Sequence, residues 1–262
     1  MVPEFLRALD EIRPRAFLME NVYGLASPSH RGYLKEILQA TARLSFNIVW
    51  KVLYAADYGV PQKRRRLFLA GVAEGEFDFP EPTHGEGRSL PHVPAGQVIG
   101  NSPVGEPAQA PVWYAEKVDL RKSPYAGLLF NGGGRPIDLE QPCSTILASA
   151  GGNKTPWVDT LSIVPAYHAH LLRGGAPREG IVPGARRLSV EESALLQTFP
   201  EWLPFAGSKS SRFRQVGDAV PPRLAEVLGR QLVAQLTGVR PEGEDGKTIE
   251  PAGQAKLWAA SA

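Results

Sequence analysis

Apolar residues at Phe5, Leu6, Leu9 and Ile12 keep the spacing of one helix face, and Pro14 closes the run. Ala16-Phe17-Leu18-Met19 follows as an unbroken apolar stretch ending at Glu20, the pattern of a strand buried on both sides in a parallel sheet. A second helical stripe, Leu34, Ile37, Leu38 and Ala42, predicts a helix over residues 32–44. Residues 46–54 are rich in β-branched and aromatic side chains and read as a strand. Residues 66–72 read as another, after a turn marked by Gly59 and Pro61.

Strand, helix, strand, tight connection, strand is the order at the end of a doubly wound α/β sheet. The crossover helix joins parallel strands, and the short loop demands an antiparallel neighbour. The chain then changes character. From Glu74 to about Pro183 it is dense in glycine and proline and offers only short strands, such as 128–130 and 144–147, which predicts a separate loop-rich module. Regular structure returns at Ser189, which with Glu192 makes a capping box ahead of Ala194, Leu195 and Leu196. Pro221-Pro222 opens a last helix with Leu224, Val227, Leu228, Leu232 and Leu236 on one stripe and Gly238 at its end. The polar remainder reads as a disordered tail.

Composition changes this picture little. The 262 residues hold 27 Gly and 24 Pro, in keeping with long irregular stretches, and a net charge of +2 argues for no particular partner. The clusters matter more: Lys63 to Arg66 is an unbroken basic run, and Arg186-Arg187 is a shorter one that would ordinarily be a solvated face. A single cysteine excludes an internal disulfide framework. His168 and His170 stand without further ligands, so no metal is expected. No long apolar run suggests a membrane span, and a soluble, cytoplasmic protein is the expectation.

Candidate chemistry sits at the strand ends. Glu20 closes a buried strand, where open α/β sheets turn side chains into a ligand crevice. Alternation along the basic run puts Gln62, Arg64 and Arg66 on one side, with Lys63 and Arg65 opposite. Guanidinium forks hold carbonyl oxygens and phosphates in a geometry lysine cannot copy. Glu20-Asn21-Val22, Gln62-Lys63-Arg64-Arg65-Arg66, Leu196-Gln197-Thr198-Phe199-Pro200 and Gly217-Asp218-Ala219-Val220-Pro221 occur in the order that resembles the C5-cytosine DNA methyltransferases.

The resemblance implies the C-terminal part of a Rossmann-like S-adenosylmethionine-dependent methyltransferase sheet, with a smaller target-recognition domain. Residues 1–73 and 215–237 would form the catalytic part, 74–214 the recognition part and 238–262 the tail. Glu20 inherits the role of holding cytosine N3, and Arg64 and Arg66 that of supporting the flipped base and active site. Asn21, Asp218 and Ala219 inherit contact with S-adenosyl-L-methionine, although family members most often carry Asn where this chain has Asp218. Gln62, Arg64, Thr145, Ile146, Gly151 and Gly152 inherit contact with double-stranded DNA.

The family's glycine-rich cofactor turn and its Pro-Cys nucleophile should precede Glu20, and these 262 residues do not contain them there. Pro142-Cys143 falls in the wrong order and reads as a passive part of the recognition region. The chain alone is therefore expected to be inactive. Three readings stay open: part of an intact methyltransferase, a subunit completed by a separate N-terminal methyltransferase polypeptide, or a non-catalytic DNA-binding or regulatory remnant.

Overall fold

The computed structural model describes residues 2–131 and 134–239. These form two compact units. The first comprises residues 2–59, 64–90 and 223–239, and the second residues 60–63, 91–131 and 134–222.

In the first unit, α1 (Val2–Ile12), β1 (Ala16–Val22), α2 (Arg31–Ala42) and β2 (Asn47–Tyr54) follow the expected order. The second unit interrupts with the two-residue β3 (Gln62–Lys63) before the sheet resumes as β4 (Arg65–Val72). The strand order is β1-β4-β2, and β4 is antiparallel to both neighbours, so β1 and β2 run parallel. The helix thus joins parallel strands and the tight connection an antiparallel pair, as the pattern predicts. The returning strand also inserts between the other two. It is the strand best suited to the centre, because Leu67, Phe68, Leu69, Ala70 and Val72 are all buried.

Helices cover both faces. On one, Leu9 of α1 and Leu34 and Ile37 of α2 pack on Phe17, Met19, Leu67 and Leu69. Thr41 rather than the expected Ala42 completes the buried stripe of α2, since its hydroxyl donates to Ile37 O at 2.9 Å. On the other face, Ala70 and Val72 pack with Phe77 and with Leu232 and Leu236. Among the described residues β1 pairs only with β4, and no strand lies along its outer edge.

The second unit is built from short pieces. Hairpin strands β5 (Trp113–Asp119) and β6 (Leu128–Asn131) are antiparallel, as are β8 (Trp157–Asp159) and β9 (Ala185–Arg187). Between them, β7 (Cys143–Ser144) pairs in parallel with β3. Three helices join them: α3 (Ile163–Leu172), α4 (Val190–Leu196) and α5 (Lys209–Asp218). One core gathers Ile146, Val158, Leu188, Leu196, Phe213 and Val216, and another gathers Tyr114, Phe130, Trp157 and Tyr167.

The compact units divide the chain at other points than the expected domains. Residues 74–90 stay with the sheet, because Phe77 packs on Ala70 and Val72 and the amides of Thr83 and His84 both donate to Asp57 O at 3.0 Å. Residues 215–222 join the second unit, because Phe213 and Val216 of α5 enter its core. The last helix, α6 (Pro222–Thr237), returns to the sheet unit and ends at Gly238 with φ 71°. The rest of the expected tail, residues 240–262, lies outside the described residues, as do Gly132 and Gly133.

Candidate functional site

Pairing of Val22 with Arg66 and of Glu20 with Phe68 puts the side chains of Glu20 and Arg66 on the same face of the sheet, one diagonal apart. Arg66 Nε meets Glu20 Oε1 at 2.8 Å, with only 15% and 24% of the two side chains exposed. Burial is the largest influence on Glu20 and pushes its carboxyl pKa up, against the charges of Arg66 and Arg64, which pull it down. The three residues expected to be catalytic are thus drawn into one electrostatic cluster at the carboxyl end of β1. A carboxyl group held this way keeps its proton more readily than a solvated one, so it can donate a hydrogen bond to a ring nitrogen.

Along the basic run, Gln62 and Arg64 are wholly buried and Arg66 is half-buried, while Lys63 and Arg65 are exposed. The alternation predicted from sequence is present. It turns Gln62 into the second unit. Gln62 Nε2 donates to Gln197 Oε1 at 2.5 Å, and its Oε1 accepts from the Ile146 amide at 3.1 Å. Gln197, also wholly buried, donates in turn to Val216 O at 3.1 Å and Ala219 O at 2.7 Å. One amide relay therefore joins the Gln-Lys-Arg segment, the Thr145-Ile146 segment, the end of α4 and the residues after α5.

Thr145 is partly exposed, and its hydroxyl donates to Lys63 O at 2.7 Å, whereas Ile146 is buried in the core. Gly151 and Gly152 hold φ values of 148° and 49°, the region that favours glycine. Next to them, Gly134 N donates to Asn153 O at 2.8 Å. Gly134 is required by that approach: a Cβ there would lie 1.9 Å from Thr155 O.

Asn21 lies in the sheet unit, where its Oδ1 accepts from the Val22 amide at 2.9 Å. Asp218 is exposed at the end of α5, and Ala219 follows it half-buried. Cys143 is fully buried, and burial pushes its thiol pKa up to about 12, the opposite of what a thiolate nucleophile needs.

Three structural residues escaped sequence reasoning. Gln197 lay within a quoted motif but had no role, since a glutamine gives no sign of burial. The Arg186-Arg187 pair is not a solvated face. Arg187 is 1% exposed and donates to Ala110 O, Thr155 O and Pro111 O at 2.7, 2.5 and 2.8 Å. Arg186 meets the buried Glu192 at 2.8 Å. A signal existed for that second pair: the capping box, which the structure contains, fixes Glu192 in the first turn of α4 near Arg186. His168 and His170 each donate from Nε2 to a backbone carbonyl, of Arg121 at 2.6 Å and of Ala176 at 2.9 Å.

A sheet with an inserted antiparallel strand, helices on both faces and a carboxyl–guanidinium pair at a strand end define an α/β protein of the methyltransferase type. The model of the C-5 cytosine-specific DNA methylase family matches residues 1–102 and 148–234, and the chain belongs to that family. It is 30% identical to the type II methyltransferase M.SacI of Streptomyces achromogenes over 90% of its own length and 64% of that protein. It is 30% identical to M.XorII of Xanthomonas oryzae (90% and 62%) and 31% identical to M.NgoMIV of Neisseria gonorrhoeae (90% and 70%). The chain thus spans under two thirds of the first two relatives.

Solved structures share the fold at lower identity. The S. pombe Dnmt2 methyltransferase superposes with a TM-score of 0.56 at 14% identity, over 89% of this chain and 72% of that one. A Spodoptera frugiperda DNMT2 mutant gives 0.57 at 16%, over 88% and 71%. No helix among the described residues is long and apolar enough to cross a membrane.

Proposed function

We propose that this chain supplies the base-holding and target-recognition part of a DNA cytosine-5 methyltransferase. The observation that carries the reading is the Glu20–Arg66 pair, a half-buried carboxyl with a raised pKa held by a guanidinium at a strand end. Cytosine is a poor acceptor at C6 until its ring is made electron-poor, and a carboxyl group donating to N3 does that. Arg66 and Arg64 hold the carboxyl in place and balance its charge. Because C5 and C6 are out of reach inside a duplex, the target base must leave the stack.

Attack at C6 needs a thiolate, and Cys143 is unfit for it. The nucleophile therefore comes from polypeptide other than these residues, either the remainder of a longer chain or a second subunit. S-adenosyl-L-methionine would supply the methyl group. By the family resemblance, contact with it falls to Asn21, Asp218 and Ala219. Gln62 and Ile146 act here through position rather than contact: the bond between them holds the segment that presents Thr145 to duplex DNA.

The test is transfer of labelled methyl groups into duplex DNA by the native protein from its source cells, identified with an antibody to residues 74–185. A band well above 28.4 kDa makes the chain part of a longer enzyme; a band at that mass directs the search to a co-purifying subunit. In the active form, Glu20→Gln should lower turnover by about 10²-fold or more, the range for a lost acid–base group, with DNA affinity changed far less. Equal losses in both would remove Glu20 from the chemistry. Methyl transfer absent from every form would favour the non-catalytic DNA-binding remnant.

A further inference from the structure

The structure assigns a second DNA contact, a phosphate cradle at the turn of the β5–β6 hairpin built from Arg121, Lys122 and Arg135. The assignment rests on the DNA methyltransferase reading; it adds Arg121 and Lys122, which no sequence motif brings in, and joins to them Arg135, the neighbour of Gly134. An open groove of about 530 Å³ lies at this turn, lined by these three cations together with Ser123, Gly127 and Asp119. Three cations against one carboxylate is a strong local bias in a chain with 29 basic and 27 acidic residues overall.

The two arginines are tethered. Asp119 engages Arg121 only through Nε, at 2.9 and 3.1 Å from its two oxygens, so no hydrogen bond within the described residues occupies the terminal nitrogens. Arg135 donates from Nη1 to Gly127 O, which tethers its guanidinium to the turn. The turn itself is fixed from behind, because the buried His168 donates from Nε2 to Arg121 O at 2.6 Å. Gly127 lets the turn close: it sits at φ 76°, and a Cβ there would fall 2.1 Å from Asp119 O.

Forked donors on a rigid turn match phosphate oxygens, and fixing them in advance lowers the entropy lost on binding. Phosphate contacts of this kind position a protein on the duplex without reading sequence. The cradle is therefore a backbone grip, and Gly151 and Gly152 are left to face the bases.

The experiment measures binding of the full chain to a fluorescein-labelled duplex between 50 and 200 mM salt. Each phosphate contact contributes about 0.9 to the slope of log K against log salt. The double variant R121A/K122A should flatten that slope by about 2 and weaken binding about tenfold or more, on any duplex sequence. R43A/R173A, which removes two exposed cations elsewhere, should leave the slope within about half a unit. Asp119→Asn releases Arg121 and should tighten binding a few-fold, a gain that a misfolded variant cannot mimic. Unchanged slopes in R121A/K122A, with the wild-type chain binding well, would overturn the cradle alone. No binding by the wild-type chain would overturn the cradle and the DNA reading together.

Discussion

Glu20 Oε1 and Arg66 Nε stand 2.8 Å apart on one face of the sheet, yet burial outweighs the guanidinium and leaves the carboxyl pKa raised. The sign of its pH dependence follows. A carboxyl with a raised folded pKa binds more protons folded than unfolded above its ordinary value of 4.5, so stability falls as pH climbs through that window. Glu20→Gln removes the titration. The melting temperature of the variant minus that of the wild type should therefore increase as pH rises from 4 towards 7. A difference that shrinks over that range would show that the ion pair, not burial, governs the site.

The Gln62–Gln197 relay predicts non-additive losses. Replacing either residue by Leu strands a buried polar partner, which costs about 1–3 kcal/mol. Replacing both removes donor and acceptor together, so Q62L/Q197L should cost less than the sum of the singles, by about 0.5–3 kcal/mol. Urea denaturation of the four proteins measures the coupling. Additive losses would mean that the two amides stabilise their surroundings independently.

What could be read from sequence tracks how local the cause is. β1, α2, β2 and β4 were legible because each carries its own apolar periodicity, and the α4 capping box because Ser189 and Glu192 are three residues apart. The insertion of β4 between β1 and β2 was not, since strand order depends on which strand buries both faces. Helices α3 and α5 were missed for opposite reasons. The first is apolar around most of its surface, and the second is polar apart from Phe213 and Val216. At the site, Glu20, Arg64 and Arg66 stood out by residue type at strand ends. Gln197 and Arg187 act only through partners far away in sequence, Gln62 and the carbonyls of residues 110, 111 and 155.

Gly217 lies where α5 meets the backbone of Leu147 and Ala148. A Cβ there would fall 2.3 Å from Ala148 N and 2.4 Å from Leu147 C, and backbone atoms cannot rotate away. Gly217→Ala should cost about 1–3 kcal/mol or more through overpacking. Gly229, inside α6 with nothing within 4 Å of its added Cβ, sets the contrast. Gly229→Ala should stabilise by about 0.5–1 kcal/mol through helix propensity. Thermal denaturation of both variants separates the two effects, and equal shifts would remove the steric argument for Gly217.

The last prediction concerns the only thiol in the chain. At pH 8 an ordinary cysteine with a pKa of about 8.5 is roughly one quarter thiolate. With its pKa pushed up to about 12, Cys143 would be ionised at only about one part in 10⁴, and its sulfur is 2% exposed at the residue level. Alkylation by iodoacetamide, followed by mass, should therefore be slower by three orders of magnitude or more in the folded chain than in 8 M urea at the same pH. Comparable rates in the two conditions would place a reactive thiolate at Cys143 and return it to contention as the nucleophile. A slow folded rate with full reactivity in urea would support the proposal that Cys143 is not the nucleophile.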